Sequence, residues 1–248
     1  MKVVALIPAR IGSTRFPAKM LTPIKGKALI TRTYEAAVGT MLFAEVIVVT
    51  DSDDIQREVE KAGGKVLRSK KEHESGTDRI AEAAADIEAD VVINIQGDEP
   101  FIRRGPLEQL INLFRGEDGV VVQAASLVQE TRDQAIINNP NKVKVVMRPD
   151  NYAIYFSRSP IPYPRDTAID HCYYIHIGIY AFRKDALIRF ASWAPSPLEV
   201  VEKLECNRFI EYNMPIKMAV AEHTSIAVDT PEDVAIAEAY IDQNGNNQ

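Results

Sequence analysis

Three short runs of consecutive apolar residues constrain the fold of this chain more than any other feature. They lie in Val3–Ile7 (VVALI), Glu45–Thr50 (EVIVVT) and Val91–Ile95 (VVINI), and amphipathic segments separate them. A strand with one face in water alternates polar and apolar residues, whereas a strand covered on both faces is apolar throughout. Buried strands that alternate with helices are typical of a mostly parallel sheet. The sequence therefore predicts an α/β fold.

The predicted elements keep this βαβα order to about residue 130, and longer strands joined by a proline-rich connection follow. Because we find no repeat or low-complexity linker, we expect a single domain over residues 1–248 whose second half is richer in strands. The predicted strands are Val3–Ile7, Glu45–Thr50, Lys65–Leu67, Val91–Ile95, Val120–Ala125, Val143–Met147, Tyr152–Ser157, Ile175–Phe182 and Lys217–Ala221. The predicted helices are Leu29–Val38, Asp53–Ala62, Thr77–Ile87, Pro106–Phe114, Lys184–Ala191, Leu198–Asn207 and Pro231–Ile241.

The overall charge and the cysteines argue against several classes of protein. The net charge of −6 disfavours broad binding of nucleic acid, because that function needs a basic face. No apolar run approaches the length of a membrane span, and the first residues show no signal-peptide pattern. Cys172 and Cys206 are far apart and form no CxxC motif, so we expect neither disulfides nor a zinc site. We therefore expect a cytoplasmic protein with no nucleic-acid or membrane partner.

The loop after the first predicted strand concentrates positive charge. Arg10, Arg15 and Lys19 lie in one short stretch with the hydroxyls of Ser13 and Thr14. A polyphosphate needs several cations and many hydrogen-bond donors, and open α/β sheets bind ligands at the carboxyl ends of their strands. We therefore expect this loop to bind a polyphosphate. The alternative is a solvated basic turn.

Two acidic residues are candidates for a metal site. Asp98 follows a buried strand and stands beside Gly97, which allows the backbone to approach a ligand closely. Mg²⁺ is usually held by one or two carboxylates, with phosphates and water completing its shell. Asp229 is a second candidate, but it also suits the start of a helix near Pro231, and Asp98 also suits a turn. The spacing leaves open whether the two carboxylates meet.

Two further loops precede predicted helices, and capping is their simpler explanation. Ser75, Gly76 and Thr77 suit either an N-cap or recognition of a base or ribose. Arg79 falls in the first turn of the helix, where the dipole disfavours a cation, so we expect it to have an anionic or carbonyl partner. The run DSDD (51–54) is similar to the metal motif of glycosyltransferases that use nucleotide sugars, but N-capping explains it adequately.

The second half of the chain contains a weaker set of candidates. Arg158 is of a residue type that pairs with carboxylates. His176 and Tyr180 share one face of a predicted strand, where a lone histidine is more often a structural hydrogen-bonding residue than a catalyst. From the pattern alone, this group indicates no particular ligand.

Taken together, these motifs resemble those of the CMP-Kdo synthetases, the cytidylyltransferases that activate 3-deoxy-manno-octulosonate (Kdo). The similarity covers nearly the whole chain in the order of the family, and the last four motifs separate this family from other nucleotidyltransferases. The matching segments are PARIGSTRFPAK, TD after the second strand, SGTDRIAE, NIQGDEP, NPNKVKVV, YFSRSPIP, HIGIYAFR, SPLEVVEKLE and VDTPED.

The resemblance implies a Rossmann-like nucleotidyltransferase fold with a mostly parallel central sheet and a smaller β-rich lobe. It divides the domain into a nucleotide-binding half, about 1–130, and a lobe for sugar-acid binding and dimerisation, about 131–215. The implied reaction takes CTP and Kdo, needs one or two Mg²⁺ ions, and yields CMP-Kdo and pyrophosphate for lipopolysaccharide biosynthesis. The implied assembly is a homodimer.

The resemblance also implies roles for individual residues. Lys19, Arg10 and Asp98 are expected to be catalytic, and Asp98 and Asp229 to bind the metal. The expected CTP-binding residues are Arg10, Ser13, Arg15, Lys19, Ser75, Gly76, Thr77, Arg79 and Gln96. The expected sugar-acid residues are Gln96, Arg158, His176, Tyr180 and Glu205.

Two positions depart from the family pattern. Ala18 stands where a glycine usually precedes the lysine, so it needs a negative φ or tolerated strain. Cys206 replaces a glutamine that would reach the sugar, and a thiol is a weak donor and acceptor. The acceptor is therefore open between Kdo, 8-amino-3,8-dideoxy-manno-octulosonate (8-amino-Kdo) and another 2-keto sugar acid such as a sialic acid. A glycosyltransferase that uses DSDD and a non-catalytic nucleotide-binding regulator are alternatives from other classes.

Overall fold

The chain folds into strands and helices of the predicted α/β class. The computed structural model describes residues 1–12, 16–73, 75–166, 168–222 and 226–244. The chain groups into two compact units, Met1–Leu107 with Ser225–Gln248, and Glu108–Thr224. The boundary lies earlier than the change of pattern near residue 130. The assignment of the whole chain to a single domain stays a prediction.

The first unit contains parallel strands that position the loops of the predicted nucleotide half. Its strands are β1 (Val3–Ala9), β2 (Pro23–Ile24), β3 (Lys27–Ala28), β4 (Glu45–Thr50), β5 (Lys65–Arg68) and β6 (Val91–Asn94). Its helices are α1 (Leu29–Gly39), α2 (Asp53–Lys61), α3 (Gly76–Ala85) and the start of α4 (Arg104–Asn112). β6, β1, β4 and β5 are adjacent in that order, and each pairing is parallel. Because β1 and β6 are buried along their whole length, the predicted cover on both faces is confirmed.

The second unit contains mostly antiparallel strand pairs, as expected for a β-rich lobe. Its helices are α5 (Gly116–Gly119), α6 (Gln134–Asn138), α7 (Lys184–Ala191), α8 (Pro197–Glu202) and α9 (Asn207–Glu211). Its strands are β7 (Ala124–Thr131), β8 (Lys144–Met147), β9 (Ala153–Ser157), β10 (Tyr173–Arg183) and β11 (Ile216–Val220). β10 pairs antiparallel with β7 and β8, β8 pairs antiparallel with β9, and β11 runs parallel to β7.

The predicted strand Val120–Ala125 is wrong over most of its length. The structure has the short helix α5 and a turn before β7 begins. The Arg183 guanidinium donates to the carbonyls of Phe114 (3.1 Å) and Gly119 (2.8 Å). These hydrogen bonds satisfy carbonyls at both ends of α5, so a distant side chain determines the conformation of the segment.

The predicted helix Leu198–Asn207 is wrong as a continuous element. α8 ends at Glu202, because Lys203 takes a left-handed conformation with φ 54°. The chain then turns into α9, where the buried Arg208 guanidinium donates to both oxygens of the Glu199 carboxylate (2.8 and 2.5 Å). A buried bidentate pair favours this turn over continued helix.

The chain returns to the first unit after residue 225. There α10 (Pro231–Asn244) places Ala237 and Ile241 in one apolar cluster with Ile24, Leu29 and Phe101. This packing anchors the segment that precedes α10. Within the described residues, every helix is too short or too polar to cross a membrane.

Candidate active site

A polar pocket lies at the carboxyl ends of β1 and β6 in the first unit. Its volume is about 270 Å³. This is the position at which open α/β sheets bind ligands. The predicted site residues that line it are Arg10, Lys19, Ser75, Gly76, Arg79, Gln96, Asp98 and Asp229. Ser13 and Arg15 lie outside the described residues, so their roles stay predictions.

The Lys19 ammonium joins the two predicted metal carboxylates. Its Nζ lies 2.6 Å from Asp98 Oδ2 and 3.3 Å from Asp229 Oδ1. Lys19 is buried, whereas the Asp229 side chain is 47% exposed. A buried cation needs charge partners, and these two acids supply them. The structure therefore brings together two acids whose meeting the sequence leaves open.

The turn before Lys19 sets the position of its side chain. A short 3₁₀ helix spans Lys19–Leu21, and Ala18 before it is left-handed with φ 53° and ψ 25°. The Leu21 N–H donates to the Ala18 carbonyl (2.9 Å) and closes the turn. The departure from glycine at Ala18 is thus accommodated with positive φ, at a strain of about 1 kcal/mol.

Hydrogen bonds fix the loop after β6 next to the segment before α10. The Val228 N–H donates to the Asp98 carbonyl (2.9 Å), which holds the adjacent Asp229 at the pocket. Asp233 Oδ2 accepts hydrogen bonds from the backbone N–H groups of Asp229 (2.9 Å) and Thr230 (2.8 Å). The Asp233 carboxylate therefore satisfies N–H groups at the start of α10, while the Asp229 carboxylate contacts Lys19.

The two carboxylates fit the donor set of a magnesium site. Mg²⁺ uses one or two protein carboxylates and takes its remaining ligands from phosphate and water. Asp98 and Asp229 each place an oxygen near one point, where a divalent cation would share their negative charge with the ammonium. The assignment of the metal stays a prediction.

The segment before α3 combines capping with a close approach to β1. Ser75 Oγ accepts a hydrogen bond from the Asp78 N–H (3.1 Å), so the predicted N-cap is present. A Cβ atom at Gly76 would lie 3.1 Å from Pro8 Cγ, which explains why a glycine suits this position. Thr77 is buried, and its hydroxyl accepts a hydrogen bond from Asn94 Nδ2 (3.2 Å). This buried hydrogen bond gives Thr77 a structural role beside the pocket. Its CTP-binding role stays a prediction.

Arg79 has the anionic partner that its position in α3 predicts. Its guanidinium donates to Asp51 Oδ2 (2.8 Å) and to Ser69 Oγ (3.0 Å). Burial opposes ionisation of Asp51, but the hydrogen bond and charge of Arg79 outweigh it and lower the pKa of this carboxyl. Ser52 is the N-cap of α2, and Asp53 pairs with Arg68 at 3.0 Å. The DSDD run is therefore explained by capping and ion pairs.

His73 is a pocket residue that the sequence analysis did not select. Its Nε2 lies 2.8 Å from Glu82 Oε2, and its side chain is 4% exposed. Burial opposes ionisation of Glu82, but hydrogen bonds from His73 and the Lys70 backbone outweigh it and lower the Glu82 pKa. The sequence gives only a weak indication of this pair, because His73 and Glu82 are nine positions apart and belong to no common motif.

Gly97 is required by the packing between the loops. A Cβ atom there would lie 2.9 Å from Met20 Sδ and 3.1 Å from the Pro8 carbonyl oxygen. Thr33 Oγ1 donates to the Gly97 carbonyl (2.9 Å) and fixes the loop that carries Asp98. The close backbone approach predicted at this glycine therefore serves packing against the strand and loop of the same unit.

Arg158, in the second unit, is held largely by backbone carbonyls. Its Nε donates to the Glu202 carbonyl (2.6 Å), and its terminal nitrogens donate to those of Pro140 (2.9 Å) and Lys203 (3.3 Å). Its own N–H donates to the Glu202 carboxylate (2.6 Å). A guanidinium has five N–H donors, so one N–H on each terminal nitrogen is left for a ligand. Its pairing with a substrate carboxylate stays a prediction.

His176 and Tyr180 lie beside each other on β10, with ring centroids 5.2 Å apart. Burial lowers the pKa of His176 to about 4 and raises that of Tyr180 well above its ordinary value, so both rings are neutral near pH 7. The Cys206 thiol lies close to Tyr180, and burial and the Glu205 charge raise the pKa of this thiol. Because Cys206 is 2% exposed, its thiol is shielded from solvent.

Comparisons with known proteins identify the family of this chain. Residues 4–217 match the family model described as cytidylyltransferase. The chain is 52% identical to a 3-deoxy-manno-octulosonate cytidylyltransferase of Flavobacterium johnsoniae, over 97% of this chain and 99% of the relative. It is 44% identical to an 8-amino-3,8-dideoxy-manno-octulosonate cytidylyltransferase of Shewanella baltica, over 94% and 96%.

A solved structure with a similar sequence also has the same fold as this chain. A CMP:2-keto-3-deoxy-manno-octonic acid synthetase complexed with CTP has a TM-score of 0.92 to this chain at 39% identity. The alignment covers 98% of this chain and 100% of that one. The predicted nucleotidyltransferase fold and enzyme class are therefore confirmed. The chain belongs to the CMP-Kdo synthetase family of cytidylyltransferases.

Proposed function

We propose that this chain transfers CMP from CTP to the anomeric hydroxyl of Kdo, giving CMP-Kdo and pyrophosphate. The observation that carries the proposal is the Lys19 ammonium between Asp98 and Asp229, at the carboxyl ends of parallel strands. This arrangement occurs in a chain 52% identical to a Kdo cytidylyltransferase. The product would supply lipopolysaccharide biosynthesis.

The cations of the pocket suit the triphosphate of CTP. Arg10 is exposed just after β1, and Lys19 is fixed by two acids, so one charge faces solvent and the other is preorganised. A preorganised ammonium stabilises negative charge that develops at the α-phosphate and on the departing pyrophosphate. Gln96 and Ser75 add polar groups to the same pocket for the nucleotide. In this proposal, Lys19 acts on the transition state and Arg10 mainly on binding.

Asp98 and Asp229 would hold one or two Mg²⁺ ions in this proposal. When bound, the metal supplies Lewis-acid stabilisation of phosphate charge and lowers the pKa of a coordinated hydroxyl. The two acids orient their oxygens toward Lys19, so the same side chains hold the ammonium close to the reacting phosphate. No covalent enzyme intermediate is required.

The predicted sugar-acid residues suit a polyhydroxylated acid. Arg158 retains N–H donors for a carboxylate, and His176 and Tyr180 provide neutral polar groups on an aromatic surface. Glu205 lies close enough to Tyr180 and Cys206 to raise their pKa values, and we propose that it accepts hydrogen bonds from sugar hydroxyls. Kdo offers both a carboxylate and several hydroxyls.

Kdo is the proposed acceptor rather than 8-amino-Kdo. The chain is 52% identical to the relative named for Kdo and 44% identical to the relative named for the 8-amino sugar. The Cys206 departure carries little weight, because the thiol is buried and shielded from solvent. A sialic acid remains an alternative 2-keto acid for the same assay.

The decisive experiment measures pyrophosphate release from CTP and Mg²⁺ with Kdo, 8-amino-Kdo or a sialic acid. We expect turnover that depends on Kdo and Mg²⁺, with a lower kcat/KM for 8-amino-Kdo. A glycosyltransferase would release no pyrophosphate under these conditions, and a binding module would not turn over. Preference for 8-amino-Kdo would overturn the acceptor assignment while leaving the enzyme class intact.

We further propose a homodimer that acts in the cytoplasm. Tyr163, in the proline-rich connection of the second unit, is 86% exposed, and Val201 on α8 is 78% exposed. Exposed aromatic side chains such as that of Tyr163 are enriched at protein interfaces. Both cysteines are free, which fits a reducing compartment. Sedimentation at micromolar concentration tests the dimer, and a purely monomeric protein would contradict it.

A further inference from the structure

Ser126 has one hydroxyl proton and three hydrogen-bond neighbours. It is fully buried on β7, and its Oγ lies 2.9 Å from His176 Nε2. The same Oγ lies 2.8 Å from the Ile179 carbonyl oxygen and 3.2 Å from that of Ile177. A carbonyl oxygen can only accept a hydrogen bond. Two of the three contacts become hydrogen bonds when Ser126 donates its proton to a carbonyl and accepts one from His176, whereas donation to His176 makes only one.

This orientation determines which nitrogen of His176 carries a proton. With its proton on a carbonyl, Ser126 presents a lone pair to His176 Nε2, which must then be the donor. The opposite arrangement, with Ser126 donating to Nε2, would leave both carbonyl oxygens facing an oxygen lone pair. Unmet hydrogen-bonding capacity of this kind is costly in a buried site. His176 is therefore the Nε2–H tautomer, and its Nδ1 is the acceptor.

In this arrangement, the Nδ1 atom of His176 is the ring nitrogen that is available to accept a hydrogen bond. Among the residues that the structure describes, none bonds to it, and His176 is only partly buried. The rings of Phe156 and Tyr180 flank the imidazole at centroid distances of 5.1 and 5.2 Å. Burial also keeps the ring neutral, because it lowers the His176 pKa to about 4. The open nitrogen consequently presents a lone pair between two aromatic rings.

We propose that Ser126 is a positioning residue that fixes His176 as a hydrogen-bond acceptor, and that Nδ1 of His176 binds a hydroxyl of the sugar acid. The second part rests on the proposed function. A neutral nitrogen lone pair attracts an O–H group and repels a carboxylate oxygen. The proposal therefore assigns His176 to the hydroxyl end of the substrate, and the carboxylate must lie elsewhere.

The tautomer can be measured without turnover. We would label the four histidines with ¹⁵N and assign His176 by its disappearance in His176→Gln. Near pH 7 we expect the Nε2–H tautomer in the wild-type protein and a mixture of tautomers in Ser126→Ala. A wild-type Nδ1–H tautomer, a protonated ring, or an unchanged tautomer in Ser126→Ala would overturn the proposal.

Kinetics test the consequence for the substrate. Losing the fixed acceptor in Ser126→Ala should raise the KM for Kdo about ten-fold, the effect of one hydrogen bond, with the KM for CTP unchanged. Ser126→Thr keeps the hydroxyl and should restore the tautomer and the KM for Kdo. An unchanged KM for Kdo, or an equal rise in both KM values, would contradict a positioning role.

Titration of the labelled protein with Kdo in the absence of CTP completes the test. We expect the Nδ1 resonance of His176 to shift with Kdo and not with acetate, which offers only a carboxylate. An equal shift with acetate, or no shift with a Kdo that is turned over, would overturn the proposal. Failure of the proposed function has a different signature: no pyrophosphate release with Kdo, whatever the tautomer.

Discussion

The polar pocket of the first unit and a second set, the rings of His176 and Tyr180 in the second unit, differ in electrostatic character. The pocket consists of charged groups that are paired with each other, as in Lys19 with Asp98 and Arg79 with Asp51. The second set is centred on the neutral rings of His176 and Tyr180. The difference suggests that the pocket selects for charge and that the two rings select for hydroxyl groups and shape.

The largest effect should come from removing the central cation of the pocket. Lys19→Met should lower kcat about 10³-fold, because a preorganised charge at the reacting phosphate is lost. Pyrophosphate release at saturating CTP and Kdo measures this effect. The half-buried Lys27, which pairs with Glu35, provides the matched variant Lys27→Met with near-normal activity. If both variants kept normal turnover, the charged pocket would not be the reacting centre.

A smaller but still large effect should come from the acids. Asp98→Asn should lower turnover roughly 10²-fold and raise the Mg²⁺ concentration needed for half-maximal rate, because one metal ligand is weakened. Asp53→Asn is the control, since Asp53 is an exposed partner of Arg68. Near-normal turnover of Asp98→Asn at saturating Mg²⁺ would contradict the assigned metal site.

The neutral character of the second set predicts a dependence of stability on pH. Burial lowers the pKa of His176 to about 4. Between about pH 6.5 and 4 the unfolded chain binds a proton that the folded chain does not, so this contribution to stability is complete above pH 6.5 and falls as pH drops. Relative to His176→Gln, the wild-type protein should lose about 2 kcal/mol between pH 7 and pH 5. Urea unfolding of both proteins at pH 7 and pH 5 measures this loss of stability. An equal loss in the wild-type protein and in His176→Gln would show that His176 titrates normally.

The smallest effect concerns the turn that places Lys19. Ala18→Gly should increase the free energy of unfolding by roughly 0.5–1 kcal/mol, because glycine adopts the positive φ without strain. Thermal unfolding checks the sign. Ala62→Gly is a suitable comparison, because Ala62 is exposed and has a negative φ of −85°, so the same change should destabilise there. Destabilisation at both positions would show that Ala18 is not strained.

Features close in sequence were predictable, because local patterns encode them. The parallel strands follow from consecutive apolar residues, and the caps at Ser52 and Ser75 follow from short polar side chains before helices. Arg79 is instructive: its unfavourable place in α3 predicted an anionic or carbonyl partner, and Asp51 is that partner. A local misfit can therefore indicate a contact even when it cannot identify the other residue.

Features that depend on distant contacts were not predictable. The break at Lys203 accompanies the buried pair of Arg208 with Glu199, and the turn at Val120 accompanies hydrogen bonds from Arg183. Periodicity does not record such partners, since it describes only which face of an element is apolar. The same limit applied to the meeting of Asp98 with Asp229, which long-range hydrogen bonds determine.

The separation of Lys19 from Asp229 also has a consequence for synthesis of the protein. The two residues are 210 positions apart, and the entire second unit lies between them. On the ribosome, Lys19 and Asp98 emerge early, whereas Asp229 emerges only after the second unit has been translated. A chain released before that point lacks one of the two acids. We therefore expect the ability to consume CTP to appear only after Asp229 has left the ribosome.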